Sequence, residues 1–242
     1  MDQERLSLSL ATLRAARNRD QLNPVLEKLC ALYGLSHMTF LVAHIRRQTA
    51  RYPYFCSTYP AAWTRTYVEQ WHFDIDPVIN VLRWGHLPVD WAALDWRPMP
   101  VRRFLKEARC HNIGPNGLTV PVRGPRGERC LFSVASNRSK RDWLKLRASS
   151  IHDLHILSHY LHETVLFLTG LRDGGHHRAL SRRETQCLQL LAEGRISKQI
   201  AADLSISESA VKLYLRSART KLEATSTYQA VAKASFHELI KL

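Results

Sequence analysis

The sequence lacks any apolar run of about 18 residues, the minimum for a membrane-spanning helix. It opens Met1-Asp2-Gln3-Glu4, which is acidic where a secretory signal would be positive. A soluble cytoplasmic protein is therefore expected. Cysteine is sparse and scattered: Cys30, Cys56, Cys110, Cys130 and Cys187 are odd in number and form no CxxC pair. Neither a zinc site nor a disulfide framework is expected, and reduced thiols are the default. Glycine is also sparse, and no glycine-rich phosphate loop follows a strand. No internal repeat or low-complexity tract occurs. Local spacing assembles no nucleophile–base pair, so an enzyme is not expected; Ser133 with the scattered histidines is too weak a set. Acidic residues are in deficit, with 21 against 35 Lys and Arg and a formal net charge of +14 in 242 residues. That balance suggests a polyanionic partner. Length and composition fit one or two globular domains.

The most informative segment that is present lies in the last quarter, from Ser207 to Leu222. Val211, Leu215, Ala218 and Leu222 recur at steps of four, three and four and share one helical face. Ser209, Lys212, Arg216 and Arg219 recur at three, four and three on another. An apolar stripe for burial thus opposes a stripe of donors suited to base edges and phosphates. By itself the pattern also fits a plain solvated basic face.

The neighbouring residues favour the first reading. Ser181 and Glu184 have the spacing of a capping box. Leu188 and Leu191 give the following helix its apolar face, and Gly194 ends it. A short helix is expected over Ser197 to Leu204, with Ile200, Ala201 and Leu204 inward. Ser205-Ile206-Ser207 makes a tight turn, and Ser207 is a good N-cap for the basic helix. Two short helices joined this way form a helix-turn-helix. A fourth helix, Thr227 to Ile240, would close the bundle through Ala230, Val231, Ala234 and Leu239.

This segment, from about Ala179 to Leu242, resembles the DNA-binding domain of LuxR-type transcription regulators. The likeness runs through Leu180, Glu184, Leu188, Ala192, Gly194, Gln199-Ile200-Ala201, Leu204, Ile206-Ser207, Val211 and Lys221-Leu222. Tyr214 departs from it, standing where many relatives carry histidine. The resemblance implies that Lys212 and Arg216 read bases. Phosphate contacts then fall around them, on Ser209, Tyr214 and Arg219, and Lys198 and Ser207 are further expected DNA-binding residues.

The first part of the chain reads as mixed α and β. Helical patterns cover Leu6–Asn18, Leu22–Tyr33, Pro60–Trp71, Asp76–Trp84, Val101–Arg109 and Trp143–Leu168. Strand-like runs are Met38–Ile45, Tyr52–Thr58, Gly117–Val122 and Arg129–Ser136, the last two joined by a turn at Gly124-Pro125-Arg126-Gly127. Helices before and after a largely antiparallel sheet suggest an α–β–α sandwich. The expected fold class is α+β, with this sandwich at residues 1–168, a glycine-bearing linker at 169–178 and a four-helix DNA-binding domain at 179–242. Cations at Arg138, Lys140, Arg141, Lys145 and Arg147 are read as a solvated surface in preference to a nucleic-acid contact.

Tyr59, Trp63 and Tyr67 are spaced by fours after a proline suited to a first helical turn. Three amphipathic aromatics can wall a pocket, with Asp76 as its acceptor. A core aromatic cluster with a capping aspartate is the alternative. With Pro60, Pro77, Trp91, Gly117 and Pro121, these residues resemble the acyl-homoserine-lactone-binding domain of the LuxR family. The resemblance implies that Trp63 donates to the lactone carbonyl, Asp76 accepts from the ligand amide, and Tyr59, with Ser133, donates to the acyl carbonyl. Tyr67 and Trp91 would pack the lactone ring. Phe40, Leu41, Ala43, Phe55, Ile79 and Phe132 are expected to wall the acyl tail, and the size of Leu41 leans towards a short, branched or aromatic acyl group. No metal or other cofactor is expected.

His152, His155, His159 and His162 repeat at three, four and three along the long helix. This spacing could bind zinc, but a solvated or subunit-facing surface is preferred. The family uses this helix for dimerisation, so a homodimer on an inverted-repeat DNA site is expected, with RNA polymerase a further candidate partner. A phosphorylation-controlled response regulator shares the DNA-binding domain. It would need an acidic pair at a first strand and a phosphoacceptor aspartate, where this chain has Asp2 and Glu4 before any strand and Arg46, Arg47 and Arg51 further on.

Overall fold

A strand alternates its side chains between two faces, and here both faces are covered. In the computed structural model, which describes residues 2–45, 52, 54–83, 85–125, 127–171, 180–236 and 239–241, five strands form one antiparallel sheet. They are β1 (His37–His44), β2 (Tyr54–Ser57), β3 (Val89–Asp90), β4 (Asn116–Arg123) and β5 (Arg129–Ser136), in the order β2-β1-β5-β4-β3. Phe40 pairs with Phe132 and Leu41 with Leu131, so neighbouring residues keep to the same face across the sheet. On one face Met38, Phe40, Val42, Val120, Phe132 and Val134 form the main core with three helices. These are α1 (Asp2–Arg14), α2 (Leu22–Tyr33) and α5 (Lys140–Leu168). On the other face Leu41, Leu131 and Ala135 meet Phe73, Val78, Val81 and Trp91. That face is roofed by α3 (Ala61–Glu69) and α4 (Met99–Cys110), giving the expected three layers.

Several boundaries differ from the apolar pattern. Helix α1 ends at Arg14, and Asn18 instead caps a short 3-10 turn by accepting from the Gln21 N–H. Asp76–Trp84 was expected as an α-helix; the chain makes a 3-10 helix at Pro77–Arg83. The Asp76 carboxylate accepts the Val78 N–H at 2.8 Å and β-branched Val78, Ile79 and Val81 crowd the segment, both of which disfavour an α-turn. Strand β3 has only two residues, too few for any periodicity, and was not anticipated. Asp90 in it is tied to the long helix by Arg147 and by the Trp143 indole N–H. Arg147 is therefore an ion-pair partner, while Lys140, Arg141 and Lys145 are exposed. The turn at Gly124–Gly127 joins β4 and β5, with Gly127 in the left-handed region at φ 83°. Arg46, Arg47, Arg51, Trp84, Arg126 and residues 172–178 of the expected linker lie outside the described residues.

The chain divides into two compact units, Met1–Arg172 and Asp173–Leu242. The second holds α6 (Arg182–Ala192), α7 (Ser197–Leu204), α8 (Glu208–Lys221) and α9 (Thr227–Phe236). The capping box forms: the Ser181 hydroxyl accepts the Glu184 N–H, and Glu184 accepts the Ser181 N–H at 2.6 Å. Gly194 follows α6 at φ 86°. Ser205 takes the left-handed conformation at φ 53°, turning the chain sharply between α7 and α8. Ile200 and Ala201 are buried with Val211, Leu215, Ala218 and Leu222, as the spacing requires. One residue needs correction: Leu239 is exposed and Ile240 is buried in its place. Leu239 lies beyond α9, which is described to Phe236.

Glu184 also joins α6 to α8. Its carboxylate accepts from the Lys221 ammonium at 2.8 Å and from the Ser217 hydroxyl at 2.7 Å. Burial alone would raise its pKa; the bonds from Lys221, Ser217 and the Ser181 N–H outweigh it and hold the pKa below the usual 4.5. A depressed acid pKa adds stability that is full above pH 4.5 and is lost as pH falls through the folded value. Glu184→Ala should cost about 1–3 kcal/mol of second-unit stability, because it strands two half-buried donors, Lys221 and Ser217, and removes the capping box. Denaturant melts at neutral and acidic pH check this, and the deficit should shrink on acidification.

Candidate functional site

Between the sheet and its α3–α4 roof lies a cavity of about 60 Å³. Tyr59, Trp63, Tyr67, Asp76, Trp91 and Ser133 all line it. Pro60 precedes α3, which projects Trp63 and Tyr67 into the cavity one turn apart. Asp76 ends the turn after Trp71, and its carboxylate accepts the Tyr67 hydroxyl at 2.8 Å. Burial pushes the Asp76 pKa up from 3.8 to about 6, against the lowering bonds from the Val78 N–H and Tyr67. Burial, with the carboxylate nearby, likewise raises the Tyr59 and Tyr67 hydroxyls, so both stay protonated donors. Among the described residues, neither the Trp63 indole N–H nor the Tyr59 hydroxyl makes a hydrogen bond.

A second polar chain runs along the sheet floor. The Trp91 indole donates to the Thr119 hydroxyl at 2.8 Å, which shares a hydrogen bond with the Ser133 hydroxyl at 2.9 Å. Trp91 lies flat over Gly117, where an added Cβ would come within 2.4 Å of its ring. Only glycine lets the indole approach β4 this closely.

Leu41, Phe55 and Ile79 line the cavity as expected of tail-wall residues. Phe40 and Phe132 do not: both point through the sheet into the core under α2 and α5. The correction follows from the pleat, since a residue one step from Leu41 or Leu131 must face the other way. The cavity floor is Thr39, Leu41, Leu131 and Ser133. Ala43 packs on the same side, outside the cavity wall. Sequence reasoning missed the α4 residues Phe104, Leu105 and Ala108, and Trp96. Phe104 and Ala108, four apart, were visible as one apolar face, but nothing local says what it covers. His72 was also missed; it stacks 5.7 Å from Trp63 and binds Glu107 through Nε2 at 3.2 Å.

The histidine stripe is not one surface. His152 and His159 are exposed, His155 is half-buried and His162 is buried, because α5 is covered by different neighbours along its length. No cluster of potential metal ligands occurs among the described residues. In the second unit, Lys198, Ser207, Ser209, Lys212 and Arg216 are exposed, and Arg219 is half-buried. The Ser207 hydroxyl is engaged as the cap of α8, accepting the Ala210 N–H. Tyr214 is half-buried against the second core.

A small-molecule cavity in one unit and a helix-turn-helix in the other define a signal-responsive regulator of transcription. Residues 18–165 match the autoinducer binding domain, and residues 178–234 match the bacterial regulatory proteins of the luxR family. The transcriptional activator protein RaiR of Rhizobium etli is 46% identical over 175 residues, 72% of each chain. The transcriptional activator protein VanR of Vibrio anguillarum is 30% identical over 218 residues, 90% of each. Escherichia coli SdiA has the same fold, with a TM-score of 0.69, 21% identity and 98% of each chain covered; it is also known in complex with octanoyl-rac-glycerol. The chain belongs to the LuxR family of bacterial transcription regulators, as a member with an autoinducer-binding domain, and is not an enzyme.

The raised Asp76 pKa has a cost for folding. Below pH 3.8 the group is protonated in both folded and unfolded chains. Between pH 3.8 and about 6 the unfolded chain ionises first, so stability falls as pH rises through that window. Asp76→Asn should remove this fall and gain on the unsubstituted protein from acid to neutral pH. Thermal melts across the window, without added ligand, check it; parallel curves would refute it.

Proposed function

We propose that the chain is a quorum-sensing transcription activator that binds an N-acyl-homoserine lactone in this cavity and, as a homodimer, an inverted-repeat promoter site. One observation carries the ligand reading: two donors with no partner among the described residues, Trp63 and Tyr59, and one carboxylate, Asp76, converge in a mostly aromatic and aliphatic chamber. A neutral amphiphile with two carbonyls and one amide N–H complements that set. Trp63 donates to the lactone carbonyl, Tyr59 with Ser133 donates to the acyl carbonyl, and Asp76 accepts the amide. Tyr67 and Trp91 pack the ring. Each polar group left unpaired in the closed cavity would cost about 1–3 kcal/mol, so the head group is read strictly.

The tail runs over Leu41, Phe55 and Ile79. The cavity of about 60 Å³ is small beside the roughly 300–1,000 Å³ of ordinary ligand sites, so binding must spread its walls. That tightness, with Leu41 in the floor, supports a short, branched or aromatic acyl group. Phe55, Tyr59 and Thr64 also wall an outer groove beside α3, so they separate it from the cavity. A non-lactone amphiphile is the second reading, supported by the complex of the similarly folded SdiA with octanoyl-rac-glycerol.

In the second unit, Lys212 and Arg216 read base edges while Ser209, Arg219, Lys198, Ser207 and Tyr214 anchor phosphates. Two copies present two α8 helices about one DNA turn apart. Ligand binding favours the folded dimer by mass action. No helix among the described residues is long and apolar enough to cross a membrane, and the cytoplasm is the natural place for this function.

Trp63→Phe should abolish ligand-dependent operator binding, whereas Arg216→Ala should retain ligand and lose the operator. Salt should weaken operator binding with a log–log slope of about −0.9 per neutralised phosphate. Gel-shift titrations with and without N-hexanoyl-homoserine lactone and octanoyl-rac-glycerol separate the two ligand readings. Operator binding indifferent to both compounds and to Trp63→Phe would contradict gating.

A further inference from the structure

The solvent face of α8 is polar with one exception at its centre. Buried Val211, Leu215, Ala218 and Leu222 fix which side of the helix packs inward. With about 3.6 residues per turn, the direction opposite that stripe falls on Leu213. Leu213 lies four residues after Ser209, three before Arg216 and seven before Thr220, all exposed and polar. It is 64% exposed, although the unit has a core to which a leucine could contribute. A lone surface leucine is ordinarily uninformative. This one sits at the pole of the helix that a helix-turn-helix lays in the major groove.

We infer that Leu213 is a specificity-determining residue that packs on the C5 methyl of a thymine in each half-site. The thymine methyl is the one apolar group that a base edge presents in the major groove. Leucine has no donor or acceptor, so it cannot anchor a phosphate. Against a G·C pair it would strip water from the cytosine amino group and the guanine acceptors and return nothing, which disfavours that pair. The polar neighbours Lys212 and Arg216 read flanking positions, and Leu213 selects the methyl between them. This inference rests on the reading of α8 as the DNA-facing helix and is independent of the signal's identity.

The test uses the full-length protein, prepared from cells supplied with N-butanoyl-, N-hexanoyl- and N-octanoyl-homoserine lactone. Its preferred site is selected from a random duplex pool. Each thymine of that site is then replaced by uracil, which removes the methyl and keeps the pairing. At one symmetric pair of thymines, affinity should fall about fourfold per methyl, and on the order of tenfold for both. Leu213→Ala should bind the thymine duplex with that reduced affinity and be indifferent to the replacement. Its thermal melt should match the unsubstituted protein, because the side chain is on the surface. If every uracil duplex binds unchanged, or Leu213→Ala still loses affinity on the replacement, the thymine contact is overturned while α8 remains the DNA reader. A pool with no enriched sequence overturns both.

Discussion

A carboxylate inside an aromatic cavity is tolerable only while something donates to it. Among the described residues Asp76 has two donors, the Val78 N–H and the Tyr67 hydroxyl. Those bonds start the 3-10 turn at Pro77 and orient Tyr67 within the roof. Even so, burial raises the Asp76 pKa to about 6, so the charge is held in the cavity at a cost. A further donor would relieve it. In the proposed function that donor is the ligand amide, so the group that recognises the signal also links its binding to the stability of the fold.

The remaining polar groups of the cavity depend on the sheet. The pleat sends Thr39, Leu41, Leu131 and Ser133 to the ligand side and Phe40 and Phe132 to the main core. Gly117 lets Trp91 lie on β4 and reach Thr119. The roof is aromatic because α3 and α4 must cover a floor that is half apolar and half hydroxyl. His72, bound to Glu107, stacks on the Trp63 indole, whose N–H has no hydrogen-bond partner among the described residues.

Much of this was legible in the chain. The second unit was clearest, because caps, a glycine stop and unbroken apolar spacing all point to the same helices. Ser181 with Glu184, Gly194 and the Val211–Leu222 stripe behave as local rules require. The tie from Glu184 to Lys221 and Ser217 was not visible, since it joins residues on different helices. In the first unit the aromatic triad and Asp76 could be read by spacing and likeness. The face of Phe40 and Phe132 could not, because strand periodicity gives alternation but not which set points where when both faces are buried. The α4 wall and β3 are set by tertiary packing alone. Leu213 carries no donor, so a pattern of donor spacing does not single it out; its exposure at the outer pole of α8 does.

Signal gating of the kind proposed requires that the cavity hold a lactone. Mass spectrometry of small molecules that co-purify from cells supplied with a panel of N-acyl-homoserine lactones answers this most directly. The account predicts one lactone retained at about one per chain, with a short, branched or aromatic acyl group, and its loss from protein carrying Asp76→Asn. Retention of a non-lactone amphiphile alone, or lactone retained equally by the substituted protein, would contradict it.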